Sequence, residues 1–219
     1  MKRYRAVVFD WDGTVMDSTR TIVSCIQGAC ADLGLPVPDA RQASWVIGLS
    51  LESALYHAVP ALTADLFPDF QKRYRARYLL QDAQLPLFDG MTELLGVLRS
   101  QGVLLGVATG KSRVGLDRVL TQQDMHGHFD VTRCADETFS KPHPAMLHEI
   151  MQVLDLEPDE ILMVGDTSHD MQMARNAGMD GLAVTYGAHD PEALSVAEPL
   201  IMVDSVAQMS DWLNPRLAV

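Results

Sequence analysis

Short apolar runs that stop abruptly at Asp, Gly or Thr constrain this chain more than any other feature. They are Ala6-Val7-Val8-Phe9, Leu104-Leu105-Gly106-Val107-Ala108, Ile161-Leu162-Met163-Val164 and Leu182-Ala183-Val184. None alternates apolar with polar residues, so each expects apolar cover on both faces, as strands of a parallel sheet have. Leu200-Ile201-Met202-Val203 reads as a further strand. Between the runs, apolar residues recur at helical spacing: Met91, Leu94, Leu95 and Leu98, then Leu116, Val119 and Leu120, then Leu147, Ile150, Met151 and Leu154. Buried strands alternating with amphipathic helices predict an α/β fold built on a doubly wound parallel sheet. Ligands of such sheets bind beyond the carboxyl ends of the strands.

One stretch breaks the alternation. From 19 to about 84 the pattern is helical throughout, with helices expected over 19–33, 51–59 and 64–80. This predicts a helical insert after the first strand. The 3 cysteines form no C-x-x-C motif, and Cys25 falls in step with Ile22, Ile26 and Ala29, so core packing explains it. No secretory apolar region follows the basic start, because the run at Ala6 stops at Asp10. No stretch approaches the roughly 18 apolar residues of a membrane span. A net charge of −12 argues against nucleic acid and against a polybasic membrane contact. A cytoplasmic, reducing setting is expected, with the protein as monomer or homodimer.

Chemistry gathers where the runs end. Asp10 and Asp12 follow the first run in Phe9-Asp10-Trp11-Asp12-Gly13-Thr14. Two carboxylates so close repel unless a cation lies between them, and Mg2+ suits hard oxygen ligands. Thr109-Gly110 ends the second run and offers a hydroxyl and exposed amides to phosphate oxygens. Lys141-Pro142 supplies one of only four Lys, a compact point charge. Gly165-Asp166-Thr167-Ser168-His169-Asp170 places one acid at a strand end and another in the first turn of the next helix. Each signal alone also fits a plain polar turn. Together they supply a nucleophile, an oxygen binder, a cation and a metal clamp, the parts of a phosphoryl-transfer site.

These motifs, in this order and with Asp17-Ser18 and Lys111 beside them, resemble the haloacid dehalogenase-like hydrolases, in the phosphoglycolate phosphatase-like branch. The resemblance implies a Rossmann-like core, 1–18 and 86–219, with a small α-helical cap domain at 19–85. It implies Asp10 as nucleophile forming an aspartyl-phosphate, and Asp12 as the acid and then the base. Thr109 and the Gly110 amide would bind the phosphoryl group, and Lys141 would stabilise its charge and orient Asp10. Mg2+ would be held by Asp10, the Asp12 carbonyl and Asp166, with Asp170 supporting from outside. Gly48 and Ser50, in segment 45–53, are the candidate cap specificity residues. Two departures stand out: Trp11 where the family often has Leu, and Gly110 where Asn is common.

Asp12 argues against a dehalogenase, which lacks the second acid. The cap's only Lys is Lys72, outside segment 45–53, and no Arg follows Gly48 in Gly48-Leu49-Ser50-Leu51-Glu52. These absences argue against a Schiff-base phosphonate hydrolase and a sugar phosphomutase. The resemblance therefore implies a phosphomonoesterase acting on a small phosphorylated metabolite, with phosphoglycolate as the leading substrate. An inorganic pyrophosphatase or a sugar-phosphate phosphatase is the enzymatic alternative. A phospho-acceptor signalling domain or an inactive scaffold is the non-enzymatic one.

Overall fold

The structure is a computed structural model that describes residues 3–218. Six strands form one sheet: β1 (Ala6–Phe9), β2 (Leu104–Thr109), β3 (Val131–Cys134), β4 (Ile161–Gly165), β5 (Asp180–Val184) and β6 (Ile201–Val203). Their order is β3-β2-β1-β4-β5-β6, and every neighbouring pair is parallel. The chain builds outward from β1 through β2 to β3, then crosses back to β4. That reversal opens a crevice at the carboxyl ends of β1 and β4, where a doubly wound sheet binds its ligand.

The continuous apolar runs are explained by burial on both faces. In β1, Val7 and Phe9 join one core cluster, whereas Ala6 and Val8 join the other. In β4, Leu162 and Val164 face the first cluster, Ile161 and Met163 the second. Helices α5 (Met91–Ser100) and α6 (Arg113–Gln122) cover one side. Helices α7 (Ala145–Leu154) and α8 (Ser168–Asn176) cover the other with Met146, Leu147, Ile150, Met173 and Ala174. Two later helices, α9 (Pro191–Val196) and α10 (Val206–Leu213), complete the layers.

Between β1 and β2 lie α1 (Thr19–Asp32), α2 (Ala40–Trp45), α3 (Leu51–Ala58) and α4 (Phe67–Leu79), with no sheet strand among the described residues. Cys25 is buried on α1 beside Ile22, Ile26 and Ala29, as its spacing predicts. Helix α4 starts at Phe67, later than the expected 64, with Pro68 in its first turn, where the missing N–H costs nothing. Arg77 grips Asp32 at 2.7 Å, tying α4 to α1. Arg73 reaches the same carboxylate at 3.9 Å, so two of the three arginines in Arg73-Tyr74-Arg75-Ala76-Arg77 are committed inside the insert.

Two elements escape the sequence pattern. Strand β3 lies at the sheet edge, pairs only with β2, and carries half-buried Thr132 and Arg133 between buried Val131 and Cys134. With one neighbour and partial cover, it needs no apolar run. Helix α2 is six residues long with one buried residue, Ala43, too short to show a period; Asp39 caps it by accepting from the Gln42 amide. No described helix is long and apolar enough to cross a membrane.

Leu105, the second residue of β2, lies fully buried in the larger cluster. Truncating Leu105→Ala removes packing and leaves a cavity, an expected loss of about 2–5 kcal/mol. Urea unfolding reads it directly, and a loss below about 1 kcal/mol would contradict this placement of the core.

Candidate active site

Register brings the acids together. Phe9 pairs with Val164, and the Asp10 amide donates to the Val164 carbonyl at 2.9 Å. Asp10 therefore leaves β1 beside the point where Asp166 leaves β4. Both are fully buried. The Thr14 hydroxyl donates to one Asp166 oxygen at 2.9 Å and the Ala188 amide to the other at 2.7 Å. Gly13, at φ +84°, sits so near this carboxylate that any Cβ would collide with it. The glycine after Asp12 is thus required both by its left-handed backbone and by space.

Asp170 stands in the first turn of α8. The Thr167 amide and hydroxyl donate to its Oδ2 at 3.0 and 2.6 Å, forming a capping box. Its Oδ1 meets the Lys141 ammonium at 2.7 Å, and the same Nζ lies 2.7 Å from Asp10 Oδ1. Lys141 approaches from the loop between β3 and α7, not from a strand end itself. Both Asp170 oxygens are thus engaged, which favours a supporting place for it over direct coordination.

The electrostatics of this cluster are strained in one direction. Burial pushes the Asp10 carboxyl up to about 7, against the pull of Lys141 and with further push from Asp170 and Asp12. Burial and the Asp10 charge hold Asp166 well above the usual carboxylate range. Burial opposes the Lys141 charge, but Asp10 and Asp170 keep it protonated. Asp10 Oδ2 is buried without a hydrogen-bond partner. One oxygen each from Asp10, Asp166 and Asp170 lie within 4.8 Å of one another. One ammonium does not neutralise three carboxylates, and an orphaned buried oxygen needs a partner. This all-oxygen donor set fits a hard divalent cation.

Asp12 turns elsewhere. Its Oδ1 accepts from the Ser18 hydroxyl at 2.7 Å and lies 3.0 Å from the Lys111 ammonium. Lys111 also donates to the Tyr78 hydroxyl, on α4, at 2.9 Å. Thr109, fully buried at the end of β2, accepts from the Lys111 amide at 3.2 Å. Gly110 lies directly under the carbonyls of Gly48 and Leu49, and a Cβ there would collide with both. The departure from Asn at this position is thereby explained: the insert passes where a side chain would stand.

Gly48, at φ +91°, and Ser50 lie in the short connection from α2 to α3. The Ser50 amide donates to Ser140 Oγ at 2.9 Å, whereas its hydroxyl accepts from the Ser53 amide as the cap of α3. The segment is both a helix connection and a roof over the strand ends. Sequence reasoning assigned no role to two histidines that anchor this roof. His169 Nε2 and His189 Nε2 lie 2.9 and 3.0 Å from the Trp45 carbonyl, which can only accept, so both carry the proton at Nε2. The His189 ring stacks on Trp45 at 4.3 Å. Beside this anchor a cleft of about 650 Å3, lined by Arg20, Trp45, Tyr186 and Gly187 among others, separates the insert from the core.

The raised Asp10 acidity has a consequence for stability. A carboxyl whose folded value exceeds its unfolded one stabilises the fold at low pH, and that contribution is lost as pH rises through about 7. A cation held by Asp10 and Asp166 would remove the penalty. Mg2+ should therefore raise Tm more at pH 8 than at pH 5 in thermal unfolding; equal shifts at both would refute the assignment.

The chain is similar to known proteins over most of its length. The model of the haloacid dehalogenase-like hydrolase family matches residues 7–184. A protein of Dickeya dadantii named "Probable phosphatase IndB" is 35% identical, covering 93% of this chain and 90% of its own. The phosphoglycolate phosphatase of Pectobacterium atrosepticum is 30% identical over 94% of this chain and 90% of its own. The tyrosine-protein kinase PtkA of Mycobacterium tuberculosis is 35% identical over 83% of this chain and 62% of its own. The solved structure of a haloacid dehalogenase-like hydrolase from Streptococcus pneumoniae superimposes with a TM-score of 0.82 at 26% identity, covering 96% of this chain and 99% of that one. The chain belongs to the haloacid dehalogenase-like hydrolases.

Proposed function

We propose that this protein is a Mg2+-dependent phosphomonoesterase that hydrolyses a small phosphorylated metabolite through an aspartyl-phosphate on Asp10. The observation that carries the reading is the Asp10 carboxylate itself. One oxygen is held 2.7 Å from Lys141, and the other is buried without a hydrogen-bond partner. Lys141 orients the nucleophile and offsets charge on the transferring oxygens. Thr109 and the Gly110 amide bind the phosphoryl group. Asp12 protonates the leaving alkoxide, then takes the proton of the hydrolytic water. Asp10 and Asp166, with the Asp12 carbonyl, hold Mg2+, and Asp170 supports them from outside. The ion supplies positive charge that lets a carboxylate approach a phosphate dianion.

In this reading residues 1–18 and 86–219 are the catalytic core and 19–85 is a cap. The cap passes over Gly110 with Gly48 and Leu49 and excludes water during transfer. Phosphoglycolate is the leading substrate in this reading, supported by the name of the Pectobacterium relative. Inorganic pyrophosphate and sugar phosphates are the competitors in a substrate panel. The three buried thiols, none of them bridged, suit a reducing cytoplasm, and the chain acts as a monomer or homodimer.

Asp10→Asn keeps the shape of the side chain and removes the nucleophile. Turnover of phenyl phosphate with Mg2+ should fall by about 10^4-fold or more, while circular dichroism stays that of wild type. Wild-type rates in the variant would reject Asp10 as nucleophile. Full activity in excess EDTA would remove the ion from the reading. Phosphate passing from ATP to a tyrosine peptide, with no release to water, would replace hydrolysis with the kinase activity named for the mycobacterial relative.

A further inference from the structure

We propose that Thr19 is a positioning residue for the divalent cation: its hydroxyl, on the inner side of the cleft between insert and core, holds a water of the ion's hydration shell beside Asp166. The inference rests on the cation of the phosphatase reading and is independent of its substrate.

The starting point is a hydroxyl with nothing to bond. Thr19 Oγ1 is buried and has no hydrogen-bond partner among the described residues. A hydroxyl can donate once and accept twice, and burying one unpaired is costly. The residues before it are committed. The Asp17 amide donates to the Pro86 carbonyl at 3.0 Å, and the Ser18 hydroxyl donates to Asp12 Oδ1 at 2.7 Å. Ser18 thus serves one acid of the site. Thr19, the first residue of α1, stands beside another.

That other acid is Asp166. A Cβ built on Gly13 would lie 3.1 Å from Thr19 Oγ1 and would at the same time run into Asp166 Oδ2. A Cβ on Gly187 would run into the same oxygen. Backbone therefore closes on Asp166 Oδ2 at two glycines, and the Thr19 hydroxyl borders the first of them. Thr14 and the Ala188 amide hold Asp166 by direct hydrogen bonds. Thr19 makes no such bond, so it acts at one remove, through a small molecule shared with the site. A water suits that place, because it bridges polar groups that cannot reach one another.

The cleft reaches the same point. Its volume is about 650 Å3, and Asp17, Thr19, Tyr186, Gly187 and Ala188 are among its lining residues. Gly187 and Ala188 are also the residues packed on Asp166, so a single layer of backbone separates cleft from carboxylate. Mg2+ gives up water reluctantly and keeps several of its waters when few carboxylates bind it. Groups that hold a metal's own ligands in place tune its affinity. Thr19 Oγ1, sealed from bulk solvent and uncommitted, is such a group.

Thermal unfolding of the full-length protein at pH 8, in EDTA and across a Mg2+ series, tests the proposal. Thr19→Val keeps the shape of the side chain and removes the hydroxyl. In EDTA its Tm should equal or exceed that of wild type, because an unpaired buried hydroxyl is lost. In the Mg2+ series its half-saturating concentration should rise by about 10-fold, the low end of the effect of groups that support metal ligands. Thr19→Ser, which keeps the hydroxyl, should restore the wild-type value. An unchanged half-saturating concentration in Thr19→Val, with wild type responding to Mg2+, sinks this inference alone. So does a Tm in EDTA well below wild type, or a variant that does not fold, because Thr19 would then serve packing. A wild-type Tm that does not respond to Mg2+ removes the cation from the phosphatase reading and this inference with it.

Discussion

The Lys141 ammonium, buried 2.7 Å from both Asp10 and Asp170, is the interaction on which the rest of the site depends. Carboxylates at neighbouring strand ends repel, and desolvation compounds the repulsion. Lys141 makes the arrangement tolerable by charge, and Asp170 makes Lys141 tolerable in turn. Removing one partner of such a buried pair typically costs about 3–5 kcal/mol, because the survivor stays buried and unpaired. The triad is still short of positive charge. That deficit pushes Asp10 up toward 7 and leaves its second oxygen without a partner. The strain is local and falls on one place, the Asp10 carboxylate at the ends of β1 and β4.

The helical insert acts on this centre through backbone more than through side chains. The Gly48 and Leu49 carbonyls press on Gly110, and the Trp45 carbonyl accepts from two histidines of the core. Only a glycine at 110 permits that approach. The roof is therefore held at the Trp45 end by His169 and His189 and at the far end by the Ser50 amide on Ser140. Tyr78 comes from a different helix and reaches the second ammonium, Lys111, so the insert touches both halves of the acid pair's surroundings.

Much of this was legible in the chain. The runs at Ala6, Leu104, Ile161 and Leu182 announced β1, β2, β4 and β5, because strands buried on two faces cannot afford polar residues. Their ends announced Asp10, Thr109 and Asp166, because a parallel sheet aligns its carboxyl ends. Strand β3 was silent, since an edge strand with one neighbour tolerates Thr132 and Arg133. Helix α2 was silent, since six residues hold less than two turns. The Lys141 motif was visible, but its place in a loop past an unseen strand was not.

Lys111, Ser18 and Tyr78 show the limit more sharply. Lys111 and Ser18 flank recognised motifs, yet nothing local says that both meet Asp12 through the same oxygen. Tyr78 lies 33 residues from Lys111 on a helix whose buried face could not be told from its solvated one by spacing alone. His189 follows a strand by five residues and gives no sign of stacking on Trp45, 144 positions earlier. By itself the sequence determined the sheet, the strand-end chemistry and the presence of an insert, because periodicity and turn residues are local. The pairing of Asp12 with Lys111 and Tyr78, and the seating of the roof on Gly110, were decided only by the tertiary structure. They depend on the angle at which the insert meets the sheet, which packing between distant segments sets.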